Sequence, residues 1–267
     1  MVDSRLDTAL SERGIARSRT HAARLITDGS VTVDGVTVIK SSARVRETQV
    51  LALTAIDHYV SRAAHKLLAA LDAFTLTITG RSALDVGAST GGFTQVLLER
   101  GASSVVALDV GHGQIDPFIG GNAAVTVVEG FNAREMTSVT LDAAAGRAVR
   151  PTVVVADLSF ISLTTVLPAM VATVGTEADY VLLIKPQFEV GRTGVREGIV
   201  HDQGLRADAI TDVLWAAWDL ALPTAGLISS PILGAAGNQE YLVWLSTRAG
   251  TNPTEWSGQV LALSKSV

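Results

Sequence analysis

The stretch Leu84-Asp85-Val86-Gly87-Ala88-Ser89-Thr90-Gly91-Gly92-Phe93-Thr94 concentrates more chemical potential than any other part of this chain. A predicted strand, Ala83–Val86, breaks into small residues, and a helical pattern follows. Small residues at such a turn let the backbone approach a ligand closely, beside a helix N-terminus. Three chemistries use this arrangement. Dinucleotide binding requires G-x-G-x-x-G, which is absent because Ala88 and Ser89 follow Gly87. A nucleophile elbow requires G-x-S-x-G, which Gly87-Ala88-Ser89-Thr90-Gly91 matches in a strand-to-helix context. That reading also needs an acid and then a histidine downstream. His112 and His201 are the only histidines that follow, neither closes a clear late strand, and no oxyanion-loop signature is present. The third chemistry is S-adenosylmethionine binding. There the turn packs on the methionine end, and a carboxylate closing the second strand accepts from both ribose hydroxyls. Asp109 occupies that place, twenty-four residues after Asp85.

Two more charged residues stand at the C-terminal ends of predicted strands, where ligands collect in open α/β sheets: Asp157 and Lys185. Asn132 follows the third strand and either faces an adenine or serves as a turn asparagine. Lys66 and Glu240, each taken alone, read as a helix-surface lysine and a residue opening a strand.

The elements that must position these residues have a clear pattern. Candidate strands are Ala83–Val86, Val105–Asp109, Val125–Glu129, Thr152–Ala156, Tyr180–Ile184, Ala225–Ser229 and Tyr241–Ser246, with helical stretches between most of them. Several are continuous apolar runs, as in parallel strands covered on both faces. The alternation predicts an α/β fold, a doubly wound, mostly parallel seven-stranded sheet. The connection Pro186–Gly204 is long, rich in glycine and mixed in charge, and is expected to act as a lid. From Thr247 the signals weaken, and a loose tail is expected.

Residues 1–60 have a different texture. Leu6, Ala9 and Leu10 have helical spacing, with Gly14 as a stop. Ser18 is placed to cap a second helix that Gly29 would end. Val31–Val38 reads as two alternating β-branched strands around Asp34-Gly35, a hairpin. Together these predict a small α+β module. The net charge of −5 hides an asymmetry: residues 1–66 carry a balance of +3 and residues 67–267 a balance of −8. A basic head on an acidic body suits contact with a polyanion. Arg5, Arg17, Arg19 and Arg24 flank the two short helices, and their forked donors suit phosphates.

The chain has 267 residues and no cysteine, which excludes disulfides and thiolate metal sites. No metal site is expected. The N-terminus lacks a basic region followed by an apolar one, so no signal peptide is read. Leu205 to Leu222 is the most apolar long stretch, but Arg206, Asp208, Asp212 and Asp219 interrupt it, as in an amphipathic helix and not a membrane span. A cytoplasmic location is expected.

The Leu84–Thr94 signature resembles that of the TlyA family, also called hemolysin A, of ribosomal RNA methyltransferases. Val60-Ser61-Arg62-Ala63-Ala64-His65-Lys66-Leu67 is similar to the start of the methyltransferase domain in that family and in the related FtsJ/RrmJ enzymes. Arg5-Leu6-Asp7 through Val38, with Ser18-Arg19-x-x-Ala22, resembles an S4 RNA-binding domain. The resemblance spans about residues 3–246. It implies an S4-like domain over 1–59, a linker and domain start over 60–66, a methyltransferase domain over 67–247 and a tail over 248–267. It further implies a catalytic tetrad of Lys66, Asp157, Lys185 and Glu240. Lys185 would assist the acceptor hydroxyl and Asp157 would orient it, with Lys66 and Glu240 completing the charge network. Asp85, Gly87, Ser89, Gly91, Gly92, Asp109 and Asn132 would hold S-adenosylmethionine. The implied activity is methylation of cytidine ribose 2′-hydroxyls in 16S or 23S rRNA, or both, within ribosomal subunits. In mycobacterial relatives that activity is tied to capreomycin sensitivity. One departure is visible: where some family members have Arg-x-Trp-Val between domains, this chain has Asp57-His58-Tyr59-Val60. That puts in question any coupling of RNA docking to cofactor binding through the linker. The rival readings are a membrane-active hemolysin, which the lack of a spanning stretch disfavours, and a ribosome-binding module without catalysis.

Overall fold

The computed structural model describes residues 4–16, 18–27, 29–53, 58–191, 194–234 and 236–265, with Arg24 through its backbone alone. The chain divides into two compact units, 1–59 and 60–267.

In the first unit, helices α1 (Leu6–Glu12) and α2 (Arg19–Thr27) pack together. Beside them lie a three-stranded sheet of β2 (Val31–Val33), β3 (Val36–Thr37) and β5 (Leu51–Leu53), and a short pair, β1 (Ser4–Arg5) with β4 (Arg44–Val45). Leu6, Leu10, Ile26 and Val31 are fully buried and form the core. Ser18 Oγ accepts from His21 N at 3.2 Å, the expected N-cap of α2. Asp34 and Gly35 both have positive φ, 51° and 82°, as a two-residue I′ hairpin turn demands.

The second unit is built on a sheet of seven strands. They are β6 (Ser82–Val86), β7 (Ser104–Leu108), β8 (Val125–Val128), β9 (Val153–Ala156), β10 (Asp179–Ile184), β11 (Thr224–Ser229) and β12 (Tyr241–Leu245). The spatial order is β11-β12-β10-β9-β6-β7-β8. β12 runs antiparallel to both neighbours, and the β10-β9-β6-β7-β8 run is parallel. Every residue of β9 and β10 is buried, which explains why the sequence shows unbroken apolar runs there. From β6 the chain winds outward through β7 and β8, then returns to add β9 on the other side. The topological switch therefore falls between β6 and β9, and a crevice opens beyond their C-terminal ends.

The remaining helices of this unit include α3 (Ala64–Phe74), α4 (Gly92–Glu99), the single turn α5 (Pro117–Gly120), α6 (Ser138–Ala145), α7 (Leu163–Val174), the single turn α8 (Pro186–Glu189) and α9 (Gln203–Asp219). The expected amphipathic helix at Leu205–Leu222 is α9. Pro186–Gly204 holds α8 and an antiparallel bridge between Arg196 and Ile199; Arg192 and Thr193 lie outside the described residues. Asn238 anchors this segment, accepting from Val200 N at 2.9 Å and donating to Gly198 O at 2.7 Å.

The expectation of a loose C-terminal tail is corrected. Pro253–Trp256 forms a 3₁₀ turn and α10 (Ser257–Lys265) packs on α9. Val260 and Ser264 are buried. The guanidinium of Arg206, itself buried, donates to Ser264 O through two nitrogens at 3.1 and 2.7 Å, so it caps the end of α10. Arg248 pairs with Asp179 at 2.5 Å. No helix among the described residues is long and apolar enough to cross a membrane.

Candidate active site

Five loops meet at the crevice, each at the C-terminal end of a parallel strand: those after β6, β7, β8, β9 and β10. The turn after β6 has Gly87 at φ +84° and Ser89 at φ +48°. Gly87 is required by crowding: a β-carbon there would come within 2.8 Å of the Asp157 carbonyl oxygen. The β6 and β9 loops can approach only because that atom is missing.

The four charged residues singled out from the sequence come together. Lys185 Nζ lies 2.6 Å from Asp157 Oδ1 and donates to Ser159 Oγ at 2.9 Å. Lys66 Nζ donates to Glu240 Oε2 at 2.5 Å and lies 3.9 Å from Asp157 Oδ2. Asp157 thus stands between two ammonium groups, with two positive and two negative charges in one network. Lys66, Lys185 and Glu240 are buried, at 5%, 8% and 2% exposure, so these charges are held in a medium where pairing is strong and isolation costly. Lys66 is therefore no helix-surface lysine; it points inward from the first turn of α3. Gly234 leaves room for the Glu240 carboxylate, since a β-carbon there would collide with Oε1.

Beside this network lies a cleft of about 450 Å³ lined by Gly87, Ser89, Asp109, Gln114, Asn132 and Asp157, with Phe131, Leu158, Ile161 and Val166 as apolar walls. A smaller polar recess of about 210 Å³ adjoins it, sharing Gly87, Ser89, Asp157 and Ser159 and adding Gly92 and Lys185. Asp109 closes β7. Its Oδ2 accepts from Ser89 N at 2.8 Å and its Oδ1 from Gly111 N at 2.7 Å, which fixes the carboxylate and leaves further lone pairs toward the cleft. Asn132 caps a short 3₁₀ turn through Arg134 N, so part of its acceptor capacity serves the turn.

Two residues assigned to the cofactor from the sequence line neither space. Asp85 is fully buried beneath the turn, where Thr94 Oγ1 donates to its Oδ2 at 2.6 Å. Burial pushes its carboxyl up to about 7 against the pull of that hydrogen bond, and the neighbouring charge of Asp157 adds to the rise. Gly91, at φ +95°, faces Ile119 and Ile115. Both shape the turn from behind. The elbow reading of Ser89 finds no base, because its hydroxyl donates to Gln114 Oε1 at 3.3 Å while His112 packs on Gly130.

In the first unit Arg5 and Arg19 converge on one buried carboxylate. Arg5 grips Asp7 through two nitrogens at 3.0 and 2.9 Å, and Arg19 reaches it at 3.5 Å. These contacts hold the Asp7 carboxyl well below its usual range, the Arg5 hydrogen bond first among the causes. Arg17 and the side chain of Arg24 lie outside the described residues, as does Asp57 of the linker.

The model of FtsJ-like methyltransferases matches residues 59–247, and the S4 domain model matches residues 4–51. The chain is 47% identical to the 16S/23S rRNA (cytidine-2'-O)-methyltransferase TlyA of Mycobacterium tuberculosis, over 92% of this chain and 90% of that protein. It belongs to the TlyA family. Hemolysin A of Brachyspira hyodysenteriae is 36% identical over 89% of this chain and 98% of its own length. A solved structure named for a hemolysin of Streptococcus thermophilus superposes with a TM-score of 0.75 at 32% identity, covering 99% of this chain and 96% of that one. TlyA-family membership thus covers both units of this chain.

Sequence reasoning missed three residues of this TlyA-family site. Ser159 completes the surroundings of Lys185, and Gln114 bridges the turn to the cleft wall. Phe160 is 93% exposed with φ +63°, its ring 5.4 Å from that of Phe188. An aromatic side chain would ordinarily be assigned to the core, so nothing in the sequence marks this one as surface. Among the described residues no cluster of three or more His, Asp or Glu could hold a metal ion.

Proposed function

We infer that this chain is a methyltransferase that modifies the 2′-hydroxyl of a cytidine ribose in ribosomal RNA, with S-adenosylmethionine as methyl donor. The carrying observation is Lys185 Nζ at 2.6 Å from Asp157, facing the polar recess that adjoins the larger cleft.

The residues fit the donor. Asp109, immobilised by two backbone N–H groups, offers acceptors for vicinal ribose hydroxyls, and the apolar walls around Phe131 and Ile161 suit a purine. Gly87, Ser89 and Gly92 line the recess where the amino-acid end would lie. When bound, S-adenosylmethionine supplies a methyl group already activated on a sulfonium, so the protein must mainly position and activate the acceptor.

That task falls to Lys185. Asp157 and Ser159 engage its ammonium on two sides, leaving the third direction for the acceptor oxygen. There the ammonium donates to the acceptor oxygen and stabilises the alkoxide that develops as the hydroxyl's proton passes to solvent. Asp157 balances the charge of Nζ, and Lys66 with Glu240 keeps Asp157 in place from behind. The exposed ring of Phe160, on the rim of the larger cleft, offers a face on which an unstacked base can rest. In the first unit, Arg5 and Arg19 carry two positive charges against the single charge of Asp7, which leaves a net positive group for the RNA backbone. We assign the substrate to rRNA within ribosomal subunits, and hence the protein to the cytoplasm.

The test is transfer of a labelled methyl group to isolated ribosomal subunits, with the modified ribose mapped by mass spectrometry. Lys185→Ala should retain cofactor binding within about twofold and lose transfer by roughly 10³-fold. Equal transfer by both proteins would remove Lys185 from the chemistry, and a label on a base would overturn the ribose assignment.

A further inference from the structure

Asp157 and Lys185 stand on two separate loops, one after β9 and one after β10, and a reactive pair on loops needs support to keep its spacing. Besides the contacts of Lys185 itself with Asp157 and Ser159, a second side chain ties the two loops together. Glu189 ends the single turn α8, four residues beyond Lys185. Its Oε2 accepts from Ser162 Oγ at 2.5 Å, and its Oε1 accepts from Leu163 N at 2.9 Å. Ser162 closes the Asp157 loop, five residues beyond Asp157, and is also the N-cap of the twelve-residue helix α7, accepting from Thr164 N at 3.1 Å. The carboxylate thus lies on the first-turn N–H groups of a long helix, where an anion is favoured. Burial drives its carboxyl upward against the bonds from Ser162 and Leu163, and Asp212 adds to the rise. Ser162 caps α7 through Thr164 N, while the carboxylate takes the separate N–H of Leu163 and, through Ser162 Oγ, also ties the Lys185 loop to the Asp157 loop.

We propose that Glu189 is the positioning residue that locks the Asp157 loop to the Lys185 loop and so sets the spacing of the reactive pair. It touches neither donor nor acceptor. The inference rests on the reading of Lys185 and Asp157 as the reacting pair, and it predicts a loss in the chemical step alone. An error of about 1 Å in such a site costs on the order of 100-fold in rate.

The experiment compares Glu189→Ala, Glu189→Gln and Ser162→Ala with Thr137→Ala. Thr137 caps α6 through Thr140 N at 3.1 Å, so its variant loses a helix cap in the same unit without touching either loop. Three quantities are measured: single-turnover transfer to ribosomal subunits, cofactor affinity by calorimetry, and hydrogen exchange over residues 157–163 and 185–189. Glu189→Ala should slow transfer about 100-fold with cofactor affinity unchanged within twofold, and should speed exchange in both loops. Ser162→Ala, which keeps the Leu163 contact, should fall between it and the wild type. Glu189→Gln can still accept from Leu163 and donate to Ser162 Oγ, so it should stay within about threefold of wild type. Thr137→Ala should leave rate and loop exchange unchanged. The proposal is overturned if Glu189→Ala loses no more rate than Thr137→Ala, if its loss lies in cofactor affinity, or if the glutamine variant is as slow as alanine. Should the wild type transfer no methyl group at all, the functional reading fails separately, and loop exchange still decides whether Glu189 ties the loops.

Discussion

Two of the charge clusters among the described residues are built to opposite rules. In the first unit, Arg5 and Arg19 share the single carboxylate of Asp7, and the arginine side chains are 43% and 62% exposed. In the second, Lys66, Lys185, Asp157 and Glu240 balance two against two, and none of the four side chains exceeds 16% exposure. The exposed cluster keeps unspent charge where water screens it, which suits reversible contact with a polyanion. The buried cluster is neutral in sum, so each charge fixes its neighbour's position. Between these two, the excess charge is exposed and free to meet a ligand, and the balanced, buried set fixes geometry. Substitutions that unbalance the second cluster should therefore cost far more than equal changes in the first.

The largest expected effect on stability comes from Glu240→Gln. It leaves Lys66 buried with Asp157, at 3.9 Å, as its nearest acid. Breaking a buried pair from one side costs about 3–5 kcal/mol, read by denaturant unfolding. The double variant Lys66→Met/Glu240→Leu removes both charges and should recover most of that loss while remaining inactive. A double variant as unstable as the single one would show that packing, and not the uncompensated charge, dominates there.

A smaller effect, spread over pH, belongs to Asp85. Burial raises its carboxyl to about 7, so the folded protein holds a proton that the unfolded chain gives up near its ordinary value of about 4. The fold is therefore favoured by this group at low pH, and the contribution is lost as pH rises through the window up to about 7. Asp85→Asn keeps an acceptor for Thr94 and removes the titration. The stability of wild type relative to that variant should fall by a few kcal/mol between pH 4 and pH 8, measured by unfolding at each pH. A flat difference would mean that Asp85 is ionised in the fold, with a partner that these hydrogen bonds do not reveal.

How far the sequence carried this picture follows from the same contrast. The central strands were legible because parallel strands buried on both faces write long apolar runs, as β9 and β10 do. The I′ turn at Asp34-Gly35 was legible because few residues tolerate two successive positive φ values. Lys66 was not legible from its own surroundings, because Glu240 lies 174 positions away and no local spacing links them. Arg206 read as a polar break in an apolar stretch; its partner, the carbonyl of Ser264, is a backbone atom 58 residues on. That unseen bond is also why the C-terminal helix passed for a loose end. Phe160 defeats hydropathy altogether, since it is 93% exposed on a left-handed backbone in the loop after β9. What the sequence hides is pairing across distance, and the buried cluster consists of little else.

The smallest expected effect lies in the exposed cluster. Arg19 contributes one of the two arginines on Asp7, its contact at 3.5 Å is the weaker, and its side chain is mostly in solvent. Arg19→Glu replaces an attractive charge by a repulsive one without emptying a buried site, so folding stability should change by less than about 1 kcal/mol. Affinity for ribosomal subunits should fall about tenfold at low salt, and the slope of log affinity against log salt should decrease by about one. Cofactor affinity should not move. A drop that survives unchanged at high salt would point to a shape contact in place of a phosphate contact, and the reading that unspent charge serves binding would then fail for this module.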